Sequence, residues 1–396
     1  MKSPRRLVEA AVAVLCAVAT LAAVVLYFGS TVPAVHTSPE AIPSAASDVN
    51  TASHAAAIEE ARRLARALLV SENLPGLSVA VALDGAVVWA EGFGYADVER
   101  TPLTPLTRFR LGALSKPLTA AAAGLLHDRG RLDLDAPVQR YVPAYLQRQW
   151  TVTTRQLMGD VAGVHRLRGD SNDAMPDQHC AGLDESVAML HDDPLLFEPG
   201  TRHRYSIWGW VLVSAVVEGA AGEPFSRFMI RQVFEPLGMD RTAVAETEGV
   251  NATSYTPRSI LRTRLHVEEL PPPDYSCLAG AGAFVSTPGD LVRFGSAMLK
   301  PGLLKAETIA ALQTPTHLVS GAPTTYALGW TVSEIQLAGK PTRMVSHRGS
   351  PRGGPVSLLV FPDLGLAISA AANSGNVTPR IDPFAMQVAD AFTSRR

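Results

Sequence analysis

The first feature of the hydrophobic pattern is one uninterrupted apolar stretch. No charged residue occurs from Ala10 to Phe28, and Lys2, Arg5 and Arg6 stand before it. A helix rising about 1.5 Å per residue over that stretch just crosses the hydrocarbon core of a bilayer. From Gly29 to Ile58 there is no Lys or Arg, so the basic flank stays cytoplasmic and the remainder is carried across. The expectation is a single-pass anchor over residues 1–29 in the inner or cytoplasmic membrane. The bilayer is engaged through residues 10–28, and the body lies in the periplasm or extracellular space. A signal peptide cleaved near Val32-Pro33-Ala34 is the other reading. Residues 30–56 are rich in Ser, Ala, Thr and Pro with few large apolar groups, and read as a tether.

The pattern then becomes periodic. Leu64, Ala67 and Leu68 between charges predict an amphipathic helix over Glu59 to Ser71. Leu77 to Leu83 and Ala86 to Ala90 are β-rich runs joined by Asp84-Gly85, a strong hairpin signal. Ala113 to Arg129 is helical in composition and stops at Gly130. Trp208 to Ala221 and Phe225 to Phe234 predict two more helices, split by Gly222-Glu223-Pro224. A second hairpin is expected where Val356 to Phe361 and Leu366 to Ala372 flank Pro362-Asp363-Leu364-Gly365, and Pro383 to Phe392 closes the chain as a helix. The predicted class is α/β (α+β). An antiparallel sheet is built from both ends of the chain and flanked by helices, with an all-helical region inserted at roughly 125–275 of a domain spanning 57–396.

Composition narrows this picture. With 396 residues, 47% hydrophobic and 18% charged, the chain suits one large globular unit or two intimate ones. A formal net charge of −2 gives no electrostatic basis for a nucleic-acid partner. The 10 histidines fall in no Cys-x-x-Cys or His-Glu-x-x-His spacing, so no metal and no cofactor is implied. Beyond the apolar stretch, which holds Cys16, only Cys180 and Cys277 remain. In an oxidising compartment they are expected to pair.

Candidate chemistry begins at Phe109-Arg110-Leu111-Gly112-Ala113-Leu114-Ser115-Lys116. This phrase resembles the Ser-x-x-Lys helix start of the serine β-lactamase/penicillin-binding-protein superfamily, which includes related esterases and the mitochondrial serine β-lactamase-like protein. Residues three apart share a helix face, so a nucleophile and an amine at that spacing meet. Here Lys116 matches, and Ala113 occupies the nucleophile position. Gly130-Arg131-Leu132-Asp133-Leu134-Asp135-Ala136-Pro137-Val138 resembles the turn after that helix and fixes the register. Leu157 to Val164 resembles a Leu-Leu-Ser-His-x-Ser-Gly segment but departs from it at Gly159, Asp160 and Ala162.

Tyr205-Ser206-Ile207 resembles the family's Tyr-x-Asn. The resemblance makes Tyr205 the proton-carrying tyrosine and puts Ile207 where an amide would hold the substrate. His347-Arg348-Gly349-Ser350 resembles the edge-strand motif, which implies a wall at His347 with Gly349 and Ser350 at the oxyanion site. Cys277 to Asp290 resembles a packing segment beneath the site, with Ser286 or Thr287 capping the next helix.

The resemblance implies ester, amide or peptide acyl transfer on a small-molecule or peptide ligand, impaired because alanine has no nucleophilic oxygen. The alternative is a pseudoenzyme that keeps the pocket for binding or assembly in the cell envelope. A plain extracytoplasmic scaffold has no use for Lys116, Tyr205 and His347 together.

Overall fold

The computed structural model describes residues 4–30, 34–47, 51–97, 99–168, 171–172, 178–244, 252–256, 268–270, 273–378 and 380–394. The main strands, in chain order, are β1 (Ser44–Ser47), β2 (Gly76–Leu83), β3 (Ala86–Gly94), β4 (Phe109–Arg110), β5 (Ala243–Val244), β6 (Phe284–Ser286), β7 (Thr331–Leu337), β8 (Lys340–Gly349), β9 (Val356–Phe361) and β10 (Leu366–Ala372). The region expected to be all-helical is not: besides β5 it holds the two-residue pairs Leu167–Arg168 with Ser171–Asn172 and Tyr255–Thr256 with Glu268–Glu269, too short for a hydrophobic pattern to mark. Seven of the main strands form one antiparallel sheet in the order β1-β3-β2-β10-β9-β8-β7, while β4, β6 and β5 form a small separate sheet. The β-rich runs from the two ends of the chain therefore meet directly, β2 against β10 from Leu77↔Ala372 to Leu83↔Leu366. At the first hairpin Asp84 (φ +52) and Gly85 (φ +94) both take left-handed backbone, the twist a two-residue turn needs.

The helices are α1 (Pro4–Ser30), α2 (Thr51–Ser71), α3 (Ser115–Asp128), α4 (Thr154–Met158), α5 (Leu183–Ala188), α6 (Ile207–Ala221), α7 (Phe225–Met229), α8 (Pro288–Ala297), α9 (Ala306–Leu312) and α10 (Ile381–Thr393). Alternation along the strands splits the core in two. Val79, Val81, Trp89, Phe93, Leu359 and Ile368 pack against α2 and α10. The opposite face offers Ala80, Ala82, Leu358, Val360, Ala367 and Ala371 to α8 and the helical region between β4 and β6. Small side chains let α8 come close: a Cβ on Gly295 would sit 3.1 Å from that of Ala367.

Several expectations change. The tether is only partly a tether, because residues 39–41 make a short turn and β1 pairs with β3 from Ser44↔Phe93 to Ser47↔Ala90. Ile42 and His36 are buried, and His36 stacks on Tyr95 and bonds to the Pro75 carbonyl at 3.2 Å. Few apolar groups are needed when backbone pairing does the docking. The helix expected from Glu59 begins at Thr51, and the one expected over Phe225 to Phe234 ends its α geometry at Met229, with a wider turn over Ile230–Phe234. Among the described residues no helix is long and apolar enough to cross a membrane, so the transmembrane expectation lacks support from the fold. Of α1, the side chains described are those of residues 11–25, fewer than a span needs, and every one is exposed.

Candidate active site

The segment expected to carry the nucleophile enters the cleft through a tight turn. Gly112–Leu114 form a 3-10 turn with Gly112 at φ +51, and α3 takes over at Ser115. Ala113 is part-exposed on this turn. Lys116 is fully buried one turn further on, and its Nζ donates to the Ser206 carbonyl at 3.1 Å. The same ammonium lies 3.4 Å from the centroid of the Tyr205 ring and 5.8 Å from that of Trp210. A cation over an aromatic face is held by the ring quadrupole. Tyr205 thus covers Lys116 with its face while 45% of the residue remains exposed.

Ser115 points elsewhere. Its Oγ accepts from the backbone N–H of Phe284 at 3.3 Å, on the core side of α3. Behind it, Thr119 Oγ1 reaches the Gly280 carbonyl at 2.9 Å, and the Gly280 N–H donates to Ser214 Oγ at 3.1 Å. The disulfide Cys180–Cys277, with Cα atoms 4.9 Å apart, fixes the start of this packing segment. Thr287 caps α8 by accepting from the Asp290 N–H at 3.2 Å.

Ser206 caps α6: its Oγ accepts from the Gly209 N–H at 2.8 Å and donates to the Val164 carbonyl at 2.5 Å. Ile207 follows as the first residue of α6, part-exposed, so an apolar side chain stands where the resemblance placed an amide. On the opposite wall, β8 brings His347 beside Tyr326. His347 Nδ1 is 3.0 Å from the Arg348 carbonyl, which only accepts, so the proton sits on Nδ1. Nε2 then accepts from the Tyr326 hydroxyl at 3.3 Å. Burial, followed by the charge of Lys116, pushes the His347 pKa down to about 3, and burial raises that of Tyr326, so both are neutral at pH 7. Gly349 packs onto the α3 turn so closely that a Cβ would lie 1.7 Å from the Leu111 carbonyl oxygen. Ser350, just beyond, is exposed.

The sites on α3, α6 and β8 therefore converge, and the arrangement holds a buried lysine under the Tyr205 ring and near Trp210, with a neutral histidine opposite. The beta-lactamase family model matches residues 61–391. The chain belongs to the beta-lactamase family. It is 29% identical to the mitochondrial serine beta-lactamase-like protein of Mus musculus over 423 residues, covering 82% of this chain and 75% of that one. It is 28% identical to penicillin-binding protein 4* of Bacillus subtilis over 300 residues, covering 72% and 65%. Among solved structures, EstCE1, a hydrolase with promiscuous acyltransferase activity, superposes with a TM-score of 0.70 at 22% identity, covering 86% of this chain and 99% of that one.

Within this family member, three further residues shape the cleft that motif reading did not single out for it. Tyr326 is buried at the end of an irregular segment and holds His347. Asp160, fully buried at φ +54, accepts from the Ser206 N–H at 3.3 Å and from Trp210 Nε1 at 3.2 Å, so it orients the start of α6. His165 supports Tyr205 through that residue's carbonyl, 3.1 Å from Nε2. The departure at Asp160 was visible as a letter, but its hydrogen-bond partners are about 45–50 residues away. A separate cleft of about 640 Å³, lined by Gly85, Arg293, Ser296 and Lys300 among others, shares no residue with the site.

Proposed function

We propose that this chain is a membrane-anchored, extracytoplasmic member of the family whose cleft binds an ester, amide or peptide ligand without being acylated by it. One observation carries the reading: Ala113 stands at the turn that presents the nucleophile in the family, and the nearest hydroxyl on α3, that of Ser115, is committed to Phe284 on the far side. Alanine has no oxygen to attack a carbonyl. The surrounding groups support binding, since Lys116, Tyr205 and His347 are all retained in one cleft. The anchor rests on the uncharged stretch from Ala10 to Phe28 behind a basic flank, and on the exposure of its side chains from residue 11 to 25.

The test is labelling by a fluorophosphonate probe in the unmodified protein, Ala113→Ser and Ser115→Ala. The expected result is no labelling of the first and third, and labelling of Ala113→Ser. Labelling of the unmodified protein that disappears in Ser115→Ala would favour the impaired-hydrolase reading instead. Because Ile207 removes the amide subsite, even Ala113→Ser is expected to leave a chromogenic cephalosporin intact, and rapid turnover would contradict that.

A further inference from the structure

Strand register relates the cleft to the anchor. Gly349 pairs with Val356, Val356 with Ala371, Ala371 with Ser78, Ser78 with Gly92, and Gly92 with Ala45. These six residues form one line straight across the sheet, spanning five strand spacings or about 24 Å. The chain leading into β1 lies beyond that line, on the side where Ser350 continues from Gly349. There Gly94 N–H donates to the Pro43 carbonyl at 2.9 Å, His36 stacks on Tyr95, and the Val35 N–H donates to Asn73 Oδ1 at 2.8 Å. Pro75 and Tyr95 flank β2 and β3 at the same end. The cleft motif and the exit toward the anchor therefore share one end of the sheet, while the β2–β3 and β7–β8 turns lie at the other.

The connection is also short. α1 ends at Ser30, and Val35 is already docked on the body. The four Cα steps from Ser30 to Ala34 span at most about 14 Å even when fully extended. A body docked that close to its anchor has little freedom to turn its other end to the membrane. At this end Arg380 engages Glu72 at 3.7 Å and Arg348 engages Asp382 at 3.2 Å. Arg100, its guanidinium 5.5 Å from the Tyr95 ring centroid, and Arg352 are exposed and make no ion pair among the described residues, while Glu269, Asp97 and Glu99 gather around Tyr255 at the same end.

We propose that the cleft-bearing end of the sheet rests on the phospholipid surface, with Arg100 and Arg352 among the phosphate headgroups, so that the cleft takes its ligand from the headgroup layer. This rests on the anchor reading above. The full chain, with Cys16→Ala so that one thiol is labelled, is placed in lipid nanodiscs as either Arg352→Cys or Lys340→Cys. Each carries an environment-sensitive fluorophore, and the lipids carry a headgroup-linked quencher. The probe at position 352 is expected to be quenched several-fold more than the one at 340, on the β7–β8 turn. Equal quenching, or stronger quenching at 340, in a chain that resists alkaline extraction from membranes overturns the orientation and leaves the anchor standing. Release of the chain by alkaline extraction removes the anchor, and the orientation with it.

Discussion

The two sides of the α3 start have been treated differently. On the core side every polar group described has a partner: Ser115 takes the Phe284 N–H, Thr119 reaches Gly280, and Gly280 is held by Ser214. On the cleft side the cation is kept and fully buried, yet position 113 has no hydroxyl, and the histidine opposite is engaged by Tyr326 and the Arg348 carbonyl. The contrast teaches that the polar network beneath α3 does not depend on a hydroxyl at position 113.

The comparison can be broken most strongly from below. Reducing Cys180–Cys277, which are 97 residues apart, frees the segment under α3 and should cost about 4–5 kcal/mol in the chain-entropy view. A denaturant midpoint unchanged by reductant would show that the core side does not depend on it. Next, a Cβ on Gly280 would lie 2.2 Å from Thr119 Oγ1 and 2.7 Å from Ser214 Oγ, so Gly280→Ala should lose about 3 kcal/mol. Ser115→Ala strands the Phe284 N–H and should lose about 2 kcal/mol in the same measurement.

The cleft side is probed by pH. His347 is held neutral with its folded pKa below the ordinary value, so its contribution is present above pH 6.5 and fades as pH falls toward about 3. The melting temperature of His347→Gln should therefore fall less over that window than that of the unmodified chain, and parallel curves would refute this. Smallest in stability is Ala113→Ser, expected within about 0.5 kcal/mol of the parent because the site is part-exposed. A large stabilisation or loss there would mean the two sides are coupled after all.

Much of this was legible in the sequence. Asp84-Gly85 and Pro362 to Gly365 announced their hairpins because turn chemistry is local, and the phrases around Lys116, Tyr205 and His347 marked three segments that the structure brings to one cleft. Tyr326 and Asp160 were not placed in the cleft, since their roles arise only when segments more than 20 residues apart pack together. The docking of residues 34–47 was hidden for another reason. Ser-Ala-Ala-Ser pairs through its backbone, and backbone pairing leaves no mark in a hydrophobicity pattern.

That small strand has a consequence for how such proteins are handled. β3 is a nine-residue strand, buried over most of its length, and among the described residues β1 is its neighbour on that side. Remove everything before α2, as a soluble fragment would invite, and the β3 edge from Ala90 to Phe93 that β1 covers faces solvent. An uncovered flat strand of that kind templates sticking between copies. Ser44 to Ser47 cover that edge, and fragments intended to stay monodisperse are expected to do so only when they begin ahead of His36.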